Sequence, residues 1–302
     1  MRNGLPLLEI EDRSVNQYLT EMKIAILGTG AIGSVFAYQL AKAGHSVTAI
    51  ARGKRLEQLQ RDSGVTMVSG EQVALEVCPT LDPAVPYDLV LVTVLATQVE
   101  PLLATLRQSV AKRVMFMFNT FESLDPLRNA VGGERFAFGF PMGVFCLLID
   151  GKIRPQIRRG TTTSDSAWAK VFSEAGIPTS VDVDMHNWLR SHAALVIPLM
   201  SAGTIVAGRR GGITWSEART HAQAMSVAFG IVRNLGHKIV PSEVATISRM
   251  PQLVNTFLLW VLSRTALLRD LGKLGATEPR MLIDMMVAAA PGKGGALLAI
   301  RP

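Results

Sequence analysis

With 302 residues, 48% of them hydrophobic and 18% charged, the chain has apolar material for two domains of ordinary size, which excludes a disordered or low-complexity protein. The 31 Lys and Arg outnumber 24 Asp and Glu, for a net charge of +7. These cations are scattered and not interleaved with aromatics, which argues against a nucleic-acid surface and for an anionic small molecule. Cys78 and Cys146 are too few for a cysteine metal site, so no metal is expected, and they suit a reducing cytoplasm. No uninterrupted apolar run reaches the ~20 residues of a membrane span.

Residues 1–21 carry acids and no apolar block, and read as a leader without a function of its own rather than a signal peptide. Lys23 to Leu27 has the continuous apolar character of a buried parallel strand. Gly28-Thr29-Gly30-Ala31-Ile32-Gly33 then fits G-x-G-x-x-G, and Ile32, Val35, Phe36 and Leu40 repeat at helix period behind it. Between a strand and a helix, these six residues read as a dinucleotide-binding loop. Gly28 makes the turn, Gly30 lets backbone approach a pyrophosphate, and Gly33 lets helix and strand pack. The helix start supplies unpaired N–H groups and the positive end of its dipole. Gly44 ends the helix, and Ser46 to Ala51 is a second strand.

An NAD site places Asp or Glu about 20 residues after the glycines to bind the ribose 2′-hydroxyl. Here the segment reads Ala51-Arg52-Gly53-Lys54-Arg55, with no carboxylate. A guanidinium grips a 2′-phosphate that a carboxylate would repel. The cofactor read from this segment is NADPH/NADP, with Arg52 first and Lys54 or Arg55 in support.

Val65 to Val68 and Val73 to Val77 predict a hairpin around Ser69-Gly70. Tyr87 to Val94 and Arg113 to Asn119 predict further strands, with a helix over Gln98 to Leu106 between them. The alternation predicts a Rossmann-type, doubly wound parallel sheet, whose ligands lie beyond the carboxyl ends of the strands. That rule puts Leu95, Ala96, Gln98 and Asn119 beside the cofactor. Phe136 to Ile157 reads as extended, with a turn at Asp150-Gly151, and Ser164 to Glu174 as a helix. Beyond Asp184, a plausible cap, only helical patterns remain. Thr214-Trp-Ser-Glu217 is a capping box for a helix reaching Gly236, and Leu253 to Leu271 and Met281 to Ala290 predict two more. The expected division is a dinucleotide-binding domain over 22–182 and an all-helical domain over 183–302, with the substrate between them.

MKIAILGTGAIG, Arg52, the strand ends VTVLATQVE and FNT, and Asp182-Val-Asp-Met-His-Asn-Trp188 together resemble the ketopantoate reductase family over nearly all of Met22 to Ala290. That resemblance implies NADPH-dependent reduction of a 2-keto acid, with Gln98 and Asn119 at positions that contact cofactor and substrate. It also implies a proton-donating lysine two residues after the tryptophan, where this chain has Arg190. Family asparagines one and two turns on fall at Ala194 and Pro198. A first-domain lysine falls at Leu95, and an acidic residue of the helical half falls near Ala266. The altered polar positions argue against ketopantoate as the substrate.

Hydride delivery to a ketone creates an alkoxide, which needs a proton or a positive charge. Arginine stays protonated, so Arg190 can polarise a carbonyl or clamp a carboxylate but is a poor acid. His186 lies four residues earlier on the same helix face and is the candidate replacement acid. His192 is turned about 200° from Arg190 and should point away. The candidate catalytic set is therefore Arg190, His186 and Asn119, with Ser201 and Thr256 as weaker cleft hydroxyls. Three readings stay open. The chain reduces a less polar carbonyl or imine in a cleft made apolar by Leu95, Ala194 and Ala266; it reduces ketopantoate in a rearranged site; or it binds NADP without hydride transfer. The long apolar helices from Ala193 and Leu253 suggest a homodimer.

Overall fold

The computed structural model describes residues 21–302, so the reading of residues 1–20 as a leader lies outside it. β1 (Lys23–Leu27), α1 (Ala31–Lys42) and β2 (Ser46–Ile50) form the predicted strand–turn–helix–strand unit. α2 (Gly53–Arg61) follows at once, a helix for which no expectation was stated. β3 (Gly64–Thr66) and β4 (Gln72–Ala74) are the predicted hairpin, shortened. The second half of that run, β5 (Glu76–Cys78), leaves the hairpin after Leu75 and pairs with β2 in the main sheet.

β6 (Leu89–Val92) leads into two 3₁₀ turns, Ala96–Gln98 and Glu100–Leu102, and then α3 (Leu103–Gln108). One helix was expected over this stretch; Pro101 lacks the N–H that a continuous helix requires. β7 (Val114–Met117), α4 (Asp125–Val131) and β8 (Phe136–Pro141) follow. β9 (Val144–Ile149) and β10 (Lys152–Ile157) form a separate hairpin turned at Asp150 and Gly151. β11 (Thr161–Thr163), α5 (Ser166–Glu174) and β12 (Thr179–Val181) complete this half, and the sequence pattern gave no sign of either short strand.

The helical half comprises α6 (Met185–Ala207), α7 (Trp215–Asn234), α8 (Ser242–Ile247), α9 (Gln252–Leu262), α10 (Ala266–Gly272), α11 (Thr277–Ala289) and α12 (Gly295–Leu298). Asp184 caps α6 by accepting from the Asn187 N–H at 3.1 Å, and Thr214 and Glu217 close the predicted capping box on α7. α9 and α10 replace the single helix expected over 253–271. At the break, the Ser263 hydroxyl donates to the Trp260 carbonyl and the Thr265 hydroxyl to the Leu262 carbonyl, each at 2.7 Å, local bonds that compete with helix continuation. By length and composition α6 could cross a membrane, which the interrupted apolar run did not predict; most of it is buried in the protein, as a core helix would be.

The main sheet has eight strands in the order β12-β11-β8-β7-β6-β1-β2-β5. All neighbours are parallel except β11 against β8, so the expected parallel sheet carries an antiparallel edge. Strand order reverses between β1 and β6, the crevice where open α/β sheets bind ligands. One hydrophobic core lies between the sheet, α1, α5 and the β9–β10 hairpin, and a second fills the other face. Met185, Trp188 and Leu189 of α6 belong to that second core, so packing runs across the expected domain boundary. The third core gathers the helical half and takes in Phe121, just beyond β7.

Candidate active site between the glycine loop and the helical half

Gly28 turns the chain at φ +102°, and a Cβ there would stand 2.5 Å from Val94 Cγ1. The Gly28 and Thr29 N–H groups both donate to the Ile50 carbonyl at 3.0 Å, and the Thr93 hydroxyl donates to the Gly28 carbonyl at 2.8 Å. A Cβ on Gly33 would lie 2.5 Å from both the Gly28 carbonyl oxygen and Thr93 Oγ1, so this position needs glycine for the predicted helix–strand packing. At Gly30 a Cβ would meet only the Gly28 carbonyl, at 3.9 Å. No side chain caps α1, so no capping side chain occupies the positive end of the helix. An anionic pyrophosphate fits this cradle.

The loop opens into a cavity of about 510 Å³ at the carboxyl ends of β1, β2, β5 and β6. Gly28, Thr29, Gly30, Arg52, Leu95 and Gln98 line it, together with Pro79 to Leu81, which sequence reasoning missed. No carboxylate is among its lining residues. Arg52 precedes α2, is exposed, and makes no side-chain hydrogen bond among the described residues. Lys54 does not line the cavity, because α2 begins at Gly53 and carries it away from Arg52's side.

Arg55 also lines the cavity, with its guanidinium already engaged by the protein. Its Nε donates to the Thr29 carbonyl at 3.0 Å, Nη2 to Ser34 Oγ at 2.7 Å and Nη1 to the Gly151 carbonyl at 2.7 Å. Gln98 accepts the Leu95 N–H on Oε1 at 3.2 Å and bounds the cavity. Ala31 and Ile32 pack partly against the core beneath, offering backbone rather than side chain to a ligand.

Asn119, just past β7, lies outside the nucleotide cavity. Buried, it donates from Nδ2 to Glu278 Oε1 at 2.9 Å, while its Oδ1 has no partner. Burial pushes the Glu278 carboxyl above its ordinary range, with the Asn119 bond acting against that shift. Counting along the sequence had put an acidic residue near Ala266; that alanine is exposed at the start of α10, and an acid reaches the site one helix later. The available signal was an acidic residue in the first turn of a helix, at Thr277-Glu278.

Arg190 is buried at 7% exposure, with its guanidinium carbon 5.4 Å from the Phe121 ring centroid. Its Nε and Nη1 have no hydrogen-bond partner. One turn earlier, His186 leaves a buried Nε2 unpartnered and meets the His237 ring edge-on at 5.4 Å between centroids. Burial, then Arg190 and His237, lower the pKa of His186 and favour its neutral form. His192 faces elsewhere, as its helical position predicts, stacked on Trp188 at 5.1 Å and against Phe140 at 4.4 Å; burial pushes it down to about 4. Thr256 donates to the Gln252 carbonyl of its own helix at 2.8 Å, whereas the buried Ser201 hydroxyl has no partner. Ala194 is fully buried in the helical core and Ala266 is exposed, so of the three expected apolar substitutions only Leu95 borders the nucleotide cavity. No hydrogen bond joins Arg190 or His186 to the Asn119–Glu278 pair.

Residues 24–164 match the family model described as Ketopantoate reductase PanE/ApbA. That match falls within the sheet-bearing half of the chain. Similar solved structures include a PanE/ApbA family ketopantoate reductase from Ralstonia eutropha JMP134, at TM-score 0.68 and 23% identity over 93% of this chain and 96% of that one. A D-mandelate dehydrogenase in complex with NADH superposes at TM-score 0.68 with 16% identity, covering 93% and 97%. A probable 2-dehydropantoate 2-reductase from Bacillus subtilis gives 0.67 and 16%, covering 92% and 100%. These likenesses establish a Rossmann-type domain followed by a helical one.

Proposed function

We propose that the chain is an NADPH-dependent oxidoreductase reducing a carbonyl or imine substrate, with a 2-keto acid other than ketopantoate as the first class to test. The observation carrying this reading is the uncapped glycine cradle opening into a carboxylate-free cavity beside Arg52. Arg52 would hold the 2′-phosphate and the backbone from Gly28 to Gly33 the pyrophosphate. The PanE/ApbA domain and the NADH-bound D-mandelate dehydrogenase of the same fold support a nicotinamide cofactor and a keto-acid substrate. The free Cys78 and Cys146 fit a reducing cytoplasm.

When bound, NADPH supplies the hydride. The unpartnered Nε and Nη1 of Arg190 offer donors to a substrate carboxylate or to oxygen gaining negative charge, and their isolation from water strengthens that attraction. Glu278, its pKa raised, is a better proton donor than His186, whose surroundings keep it neutral. Asn119 positions Glu278 and keeps Oδ1 for substrate.

Fluorescence titration with NADPH and NADH, followed by a 2-keto acid panel, tests the reading. Preference for NADPH and turnover lost in both Arg190→Met and Glu278→Gln are expected. Cofactor binding without any hydride transfer would instead favour a non-catalytic NADP-binding protein, for which the lack of a bond between the Arg190 and Glu278 groups is the supporting observation. Leu253, Phe257, Leu258 and Val261 form an exposed apolar face on α9, and a homodimer through this face belongs to the same proposal. Light scattering should show a dimer that Phe257→Glu converts to monomer.

A further inference from the structure

A cavity of about 350 Å³ lies away from the nucleotide site, where the end of α7 and the following loop meet α8. Arg233, His237, Lys238, Ser248 and Arg249 are among its lining residues, and no carboxylate is. None of Arg233, Lys238 and Arg249 forms an ion pair among the described residues. Arg233 Nη2 is fixed by donating to Ser248 Oγ at 2.6 Å and to the Ser248 carbonyl at 3.1 Å, which holds the guanidinium at the cavity wall. Three cations around one concavity with no counter-charge attract a multivalent anion.

His237 adds directionality. Asn187 Nδ2 donates to Asp184 Oδ2 at 2.6 Å, so its Oδ1 is left to accept, and His237 Nδ1 stands 2.9 Å from that oxygen. Nδ1 therefore carries the proton, and Nε2 of the neutral ring is a lone pair. Protonation converts Nε2 to a donor. The charged and titratable groups around this ring are Asp184, His186 and Arg190 of α6, with Arg233, Lys238 and Arg249 at the cavity; only Asp184 favours the imidazolium. A bound anion would be the second group to favour it.

We propose that this cavity binds a phosphate-bearing small anion, at a site separate from the cofactor cavity, with proton-linked affinity through His237. The experiment is a calorimetric and ¹H–¹³C NMR titration of the full chain with pyrophosphate, repeated with sulfate, whose charge is constant between pH 5.5 and 8. Arg52→Ala should leave this binding intact, whereas Lys238→Ala/Arg249→Ala, two exposed positions, should weaken it tenfold or more without changing the melting temperature. The His237 ring signals should shift on binding, and sulfate affinity should fall as pH rises. His237→Gln should bind sulfate with no such dependence. The proposal is overturned if sodium chloride at equal ionic strength reproduces the shifts, or if the double variant binds like the parent. Pyrophosphate binding that disappears in Arg52→Ala would equally overturn it, since the anion would then sit in the cofactor cavity. A pH dependence that survives in His237→Gln would remove His237 from the site.

Discussion

The glycine loop and the α6 face around Arg190 both bury polar groups, but only the first completes their bonding within the chain. Around the loop, the Gly28 and Thr29 N–H groups, the Gly28 carbonyl, the Thr93 hydroxyl and the Arg55 guanidinium all find partners. On α6 and opposite it, Arg190 Nε and Nη1, His186 Nε2 and Asn119 Oδ1 find none. An unsatisfied buried polar group costs ~1–3 kcal/mol. The loop is thus a finished support that leaves only its helix start open, whereas the α6 face awaits a ligand to complete it.

The sharpest way to break the finished side is Gly33→Ala. Its methyl would meet the Gly28 carbonyl and Thr93 Oγ1 at once, so a loss of about 3 kcal/mol and of NADPH binding is expected in thermal unfolding and fluorescence titration. A variant that melts with the parent would show that the loop has slack. His192 tests the packing behind α6. Its native pKa of about 4 lies below the ordinary ~6.5 of the unfolded chain. The unfolded state therefore takes up a proton first as pH falls, so stability present above pH ~6.5 drops by on the order of 3 kcal/mol on the way to pH ~4. Urea unfolding across that range should show the loss, and His192→Phe should flatten it.

On the unfinished side, Arg190→Met removes donors that nothing in the chain satisfies. It should raise stability by about 2 kcal/mol in the absence of ligand while turnover collapses, the opposite sign from Gly33→Ala. A destabilised Arg190→Met would mean that the guanidinium contributes to the fold. The smallest effect is expected at the cofactor's edge: Arg52→Ala should weaken NADPH about tenfold and leave NADH unchanged, since the exposed side chain contacts little else.

The loop was readable in the sequence because its logic is local: strand, three spaced glycines and helix fall within one short stretch, and each glycine does the job its spacing implies. The place of Arg52 at the cavity was readable for the same reason. The bond of Arg55 to Gly151 could not be read, because Gly151 lies in a hairpin that no local pattern connects to the loop. Glu278 was missed because its arrival depends on the break between α9 and α10, made by two hydroxyls that look ordinary in a helical stretch. The lost lysine could be read as Arg190, but its lack of partners could not, since that depends on residues distant in sequence, such as Phe121, that pack around it.

The bond from Arg55 to Gly151 joins the phosphate cradle to the turn between β9 and β10, where Asp150 and Gly151 both hold positive φ, at +51° and +82°. That turn lies outside the nucleotide cavity. Yet its carbonyl is one of the four partners of the guanidinium that steadies Thr29. A remote corner of the molecule, where a Cβ on Gly151 would stand 2.9 Å from the Gln58 side chain, thereby helps to hold the glycine loop in place.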